Sequence, residues 1–194
     1  CNNLNSDSPL IVDAITQQYQ SKGSSIITEL TSHKTNKLMG HFPFVLKTID
    51  GQKLEVMTKI KPLDEEVIIM LNSMAAMCDS RLSQSFNQFR HDIGFKGTHV
   101  KELAVMAQKD PRFTKHAPKV YGIIEDKERE AYVIVEEHLQ EVELLDSADD
   151  THEWSKAHLE AAIKGIAEVH SIWYGKEDEL KQQSWMVDYP TAKG

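Results

Sequence analysis

The amino-acid sequence predicts an α+β fold with a five-stranded antiparallel sheet, followed by a separate helical region. Short segments rich in β-branched and aromatic residues occur in two groups, and a polar turn joins neighbours within each group. Segments with apolar residues at helical spacing lie before, between and after these groups. The stretch 140–153 has six acidic residues and no lysine or arginine, and it separates the sheet-forming part from the helical end.

Composition narrows the class of protein. The chain has 194 residues, and its net charge of −8 argues against nucleic acids and anionic membranes as partners, because both need a basic surface. No apolar run of about 18 residues occurs, which predicts no membrane-spanning helix. The two cysteines fit a reducing compartment, so we expect a cytoplasmic protein. Cys78 lies in an apolar helical pattern and is predicted to be buried, whereas Cys1 fits either a fragment start or a lipid-bearing N-terminus.

The first elements are one helix and three strands. The helix falls within 1–23, where Asp7 or Ser8 can cap it and Gly23 can end it. The strands are "SSIITEL", "FPFVLKTI" and "KLEVMTKIK". Asp50 and Gly51 predict a tight hairpin turn between the second and third strands, and Pro62 ends the third because it cannot donate to a ladder.

The remaining elements complete the predicted domain boundaries. One long helix is predicted from Asp64 to His91, and a shorter one begins at Thr98. The strands "PKVYGII" and "EAYVIVEEHL" follow, and the helix "EWSKAHLEAAIKGIAEVHSIWYG" closes the series after a capping box near Asp150. We therefore predict an N-terminal helix (1–23), a sheet-containing lobe (24–139), an acidic connector (140–153) and the start of a helical lobe (154–194).

The third strand contains the candidate ligand-binding side chains. Its alternation places Met57, Lys59 and Lys61 on one face. "VMTK" matches the V-A-I-K pattern of the protein-kinase third strand, in which the lysine holds the nucleotide phosphates. Met57 would then pack on the adenine and Lys59 would hold the α- and β-phosphates. The alternative is that Lys59 is an ordinary solvated lysine, as we predict for Lys61 at the strand end.

A phosphate-holding lysine needs an acidic partner on a helix. Glu102 lies on the short helix that leads into the fourth strand and is predicted to be that partner. Glu65 and Glu66 are explained better as first-turn carboxylates that the helix dipole favours.

The end of the fifth strand would form the hinge behind the nucleotide. Val135 would lie at the back of the purine pocket. The backbone of Glu136, Glu137 and His138 would pair with the adenine edge.

These pieces resemble a known enzyme superfamily. "KIKPLDEEV", "HVKELAV", "PKVYGIIEDKEREAYVIVEEHL" and "AAIKGIAEVHSIWYG" are similar to segments of the aminoglycoside phosphotransferase and choline kinase superfamily, in the same order. The resemblance implies a protein-kinase-like fold that transfers the γ-phosphoryl group of ATP to a hydroxyl of a small molecule. Choline, sugar, aminoglycoside and amino-acid-like acceptors all stay open.

The chain departs from that superfamily at the catalytic machinery. It contains no G-x-G-x-x-G, no H-x-D-x-x-x-x-N catalytic loop and no aspartate after such a loop to hold Mg²⁺. We therefore predict no catalytic residue in this chain, Mg²⁺ ligands downstream of it, and no phosphoryl transfer by the chain alone. The alternative is a non-catalytic nucleotide-binding or scaffold module.

No H-E-x-x-H or C-x-x-C occurs, so we predict no metal site. The wide apolar face of the last helix predicts self-association as a homodimer.

Overall fold

The computed structural model describes residues 25–27, 40–47, 53–90, 97–143, 145 and 151–186. Its strands are β1 (Ser25–Ile27), β2 (His41–Lys47), β3 (Lys53–Ile60), β4 (Val120–Asp126) and β5 (Ala131–Glu137). Its α-helices are α1 (Asp64–Cys78), α2 (Ser80–Phe89), α3 (Thr98–Met106), α4 (Pro111–Thr114), α5 (Lys156–His170) and α6 (Glu177–Lys181). A 3₁₀ turn covers Thr151–Glu153. The helix predicted within 1–23 lies outside the described residues.

The strands form an antiparallel sheet with β3 at its centre. The four longer strands lie in the order β2-β3-β5-β4, and the three-residue β1 pairs with the outer edge of β2. Four helices lie between β3 and β4 and two α-helices follow β5, so helices do not alternate with parallel strands. The predicted α+β class is therefore confirmed.

The two faces of the sheet pack differently because side chains alternate along each strand. One face holds the larger apolar cluster, whose buried members are Val56, Tyr121, Ile124, Val133 and Val135. On the other face, Leu103 of α3 packs against Tyr132 and Ile134 of β5. Helix α3 therefore covers the β5 side of the face on which Lys59 lies.

The single helix predicted from Asp64 to His91 is wrong, because Asp79 divides it into α1 and α2. Asp79 has an extended backbone, with φ −160° and ψ 134°, and its carboxylate accepts a hydrogen bond from the backbone N–H of Arg81. An aspartate that caps the second helix in this way stops the first one.

Several apolar residues of α1 are more exposed than the sequence predicts. The Cys78 thiol is exposed, which corrects its predicted burial, and Met74 and Met77 are 55% and 87% exposed. Only Ile68 and Ala75 of this helix are buried, because α1 packs mainly against α2 rather than against the sheet.

Helix α5 begins later than predicted. Ser155, and not a box near Asp150, caps it: the Ser155 hydroxyl accepts from the N–H of His158, and the His158 ring lies 3.2 Å from the Ser155 N–H. The end of α5 is tied to α4, since the guanidinium of Arg112 donates to the carbonyl of Ser171 at 3.0 Å.

None of the helices in the described part of the chain has the length and apolar character that a membrane span requires.

Candidate functional site

The candidate site is the face of β3 that carries Met57, Lys59 and Lys61, with the residues that the strand register places beside them. His41 of β2 is the register partner of Lys59, and Glu136 of β5 is the register partner of Met57. We call these five residues the lysine face. It lies at the centre of the sheet, where neighbouring strands on both sides fix its backbone.

Lys59 pairs with a carboxylate from the sheet. Its Nζ lies 2.8 Å from Oε1 of Glu136. The Glu136 side chain is only 5% exposed, whereas that of Lys59 is 24% exposed. The predicted Lys59–Glu102 pair is therefore wrong. The physical reason is that Glu136 stands on the adjacent strand, opposite Met57 and diagonal to Lys59 on the same face.

Glu102 pairs instead with Lys61, which corrects the prediction that Lys61 is solvated. The backbone of Lys61 still belongs to the sheet, since its N–H donates to the carbonyl of Tyr132 at 2.8 Å. Helix α3 packs on Tyr132, so Glu102 reaches the nearer lysine. An ion pair therefore joins helix α3 to the end of β3, but through Lys61 rather than through the predicted Lys59.

Helix α3 is held at its beginning by Asp64, the first residue of α1. The Asp64 carboxylate accepts from the N–H groups of Gly97 and Thr98 and from the Thr98 hydroxyl, and it lies 3.2 Å from Nδ1 of His99. Burial raises the pKa of Asp64, but these hydrogen bonds outweigh it and leave the pKa below its usual value. Glu102 is thus placed by a helix with a fixed N-terminus.

His41 contributes a neutral ring to the lysine face. Burial lowers the pKa of His41, and the positive charges of Lys59 and Lys61 lower it further. At neutral pH the ring is uncharged, so the formal charge of the face comes from its lysines and carboxylates.

The predicted hinge is placed differently from the expectation. Val135, which was predicted to lie at the back of the purine pocket, is fully buried in the cluster around Val56, on the face opposite Lys59. The N–H groups of Glu137 and His138 already donate to the carbonyls of Lys119 and Glu55, at 2.8 and 3.3 Å. These two N–H groups were predicted to pair with the adenine edge, but they already donate to backbone carbonyls of the protein.

Three features of the site were missed from the sequence. They are the neutral His41, the side chain of Glu136 and the pairing of Lys61. The alternation along β3 identified its own face correctly, but the register with β2 and β5, which adds His41 and Glu136, needs the strand pairing itself.

A cavity of about 490 Å³ lies away from the lysine face, between α3, α4, α6 and the end of α5. Phe113, Trp173 and Trp185 contribute aromatic walls, and the two tryptophan rings meet edge to face at 6.0 Å. His170 and Glu177 add polar groups. Within the described part of the chain, no group of three or more histidine, cysteine or acidic side chains is arranged to hold a metal ion.

No family model, no curated protein and no solved structure matches this chain.

Proposed function

We propose that this chain is the nucleotide-binding part of an ATP-dependent phosphotransferase that phosphorylates a hydroxyl of a small molecule. The observation that carries the proposal is the Lys61–Glu102 ion pair, which joins the central strand to helix α3 on the same face as Met57 and Lys59. In kinase-like folds the strand lysine beside the phosphates is paired with a helix carboxylate. Here that pair is formed by Lys61, one same-face position beyond Lys59, so it supports the placing of a helix beside the lysine face rather than the role of Lys59 itself.

The roles along β3 follow from strand geometry. Same-face residues lie about 6.6 Å apart, so Met57, Lys59 and Lys61 extend along the sheet for about 13 Å. Met57 would contact the base, Lys59 would hold phosphate oxygens, and the Lys61–Glu102 pair would fix α3 against the strand. ATP is the proposed ligand, and Mg²⁺ would be held by residues outside this chain.

The second candidate is a nucleotide-binding or scaffold module without catalysis. The observation that favours it is the lack in this sequence of the H-x-D-x-x-x-x-N loop that supplies a base and a metal ligand. Both candidates predict nucleotide binding at the lysine face. They differ only in whether a longer chain transfers the phosphoryl group.

Calorimetric titration with Mg·ATP tests the proposal. Lys59 alone is a poor target, because its removal leaves Glu136 buried without a partner. The double variant Lys59→Met, Glu136→Met removes both charges and should fold. We expect it to bind Mg·ATP at least about tenfold more weakly than Glu136→Met alone, the effect of losing one hydrogen bond to a charged group.

The matched control is Lys53→Met on the same strand, where the lysine is exposed. It should bind Mg·ATP like the parent. Equal affinity of the double variant and of Glu136→Met alone, both of which lack the buried carboxylate, would rule out Lys59 as a phosphate ligand.

A further inference from the structure

The lysines of the lysine face carry no excess positive charge that would attract an anion. Lys59 faces Glu136, and Lys61 faces Glu102, so the positive charges and the carboxylates cancel. His41 adds no charge at neutral pH, because burial and the two lysines lower its pKa. A site that binds a polyphosphate is expected to carry a net positive charge, because the ligand is strongly negative.

Glu136 differs from Glu102 in its burial and in the element that carries it. The Glu102 side chain is 36% exposed and stands on a helix, whereas the Glu136 side chain is 5% exposed and stands on a strand fixed between β3 and β4. Oε2 of Glu136 is buried and has no hydrogen-bond partner among the described residues. Lys59 is therefore the polar group that offsets the buried charge of Glu136.

This arrangement sets Glu136 in competition with phosphate for the same ammonium group. A phosphate that draws Lys59 away leaves a buried carboxylate without its partner, which is costly. A phosphate that shares Lys59 with Glu136 still experiences the repulsion of a fixed negative charge a few ångströms away.

We propose that Glu136 is an internal competitor of phosphate for Lys59, and that it sets the affinity of the lysine face for polyphosphate anions. The proposal rests on the proposed function for the identity of the ligand as a nucleotide. It predicts that the face discriminates against metal-free ATP, because a bound divalent cation reduces the charge that Glu136 repels.

The test compares the parent with Glu136→Gln, whose side-chain carbonyl can still accept from Lys59. The probes are metal-free ATP, inorganic tripolyphosphate and adenosine, titrated at low and high salt. We expect Glu136→Gln to bind the two anions roughly fivefold or more tightly than the parent, with adenosine unchanged. The gain should shrink at high salt, as an electrostatic effect does and a packing effect does not.

The matched control is Glu102→Gln, which removes a more exposed carboxylate beside the lysine face, on helix α3, and should change anion affinity less. Thermal unfolding checks that each variant is folded, and Glu136→Met replaces Glu136→Gln if the latter is not. Equal or weaker anion binding by the folded Glu136 variant overturns the proposal, and so does a gain that salt leaves unchanged. A gain for tripolyphosphate without any binding of ATP or adenosine supports the competitor and removes the nucleotide-binding function instead.

Discussion

At the scale of single residues, Asp64 links the beginnings of two helices. It is the first residue of α1, and its carboxylate accepts hydrogen bonds from the N–H groups that begin α3. A negative charge at a helix N-terminus is also favoured by the helix dipole. Because α3 carries Glu102, Asp64 acts on the lysine face through the helix rather than by contact.

Asp64 gives a prediction with a defined pH dependence. Its folded-state pKa lies below the usual value of 3.8, so its contribution is fully present above that value and is lost as pH falls through the folded pKa. We expect Asp64→Asn to lower the free energy of unfolding by about 1–2 kcal/mol at pH 7. The difference from the parent should narrow below about pH 3.8. Urea unfolding at several pH values measures both effects.

Glu65→Gln is the control for this prediction, since Glu65 is exposed in the same helical turn. It should change the free energy of unfolding by well under half as much. A constant Asp64→Asn effect from pH 7 down to acid would show that the charge of Asp64 is not what matters.

The choice of partner for each lysine also belongs to this scale, and it could not be read from the sequence. Alternation places Lys59 and Lys61 on one face, but it does not say which carboxylate lies within reach. That depends on the position of α3 over Tyr132 and on the pairing of Met57 with Glu136. Both depend on the tertiary structure and not on the local sequence of β3.

At the scale of elements, the turn before β2 depends on Gly40. Its φ is +69°, its carbonyl accepts from the N–H of Ile60 at 2.8 Å, and a methyl group at its Cα would overlap the carbonyl oxygen of Ile60. Gly175 has a similar φ of +72° but nothing within 4 Å of the same position. Comparing an alanine substitution at each of the two glycines therefore separates the cost of backbone strain from the cost of a steric clash.

We expect Gly175→Ala to cost about 1 kcal/mol, the usual penalty of a left-handed backbone. Gly40→Ala should cost at least about 2 kcal/mol more, because the β2–β3 pairing must shift to admit the methyl group. Chemical denaturation of both variants measures the difference. Similar losses for the two variants would contradict the close approach of Gly40 to Ile60.

Most strands and helices could be predicted from periodicity, but their register and breaks could not. The hairpin of Asp50 and Gly51 indicates two adjacent strands, yet the observed ladder ends with Lys47 opposite Lys53 and leaves five residues between them. A two-residue turn at that point would shift every pair by one residue and move His41 off the lysine face. The break at Asp79 was hidden because apolar spacing continues through it, while the capping hydrogen bond is local.

At the scale of the whole molecule, the predicted sequence of elements is present from β2 to the end of α5. The assignment of these elements to kinase-like lobes stays a prediction. Leu159, Ile163 and Ile166 of α5 are at least 49% exposed and form a stripe along one side of that helix. The predicted self-association through this face stays a prediction as well.

The central claim is that nucleotide binds at the lysine face, and amide chemical shifts test it residue by residue. A ¹⁵N-labelled sample titrated with Mg·ATP should show its largest shifts at Met57, Lys59, Lys61 and Glu136. Nucleotide binding at the lysine face is contradicted if these amide signals do not shift, or if the shifts are confined to the cavity around Trp173 and Trp185.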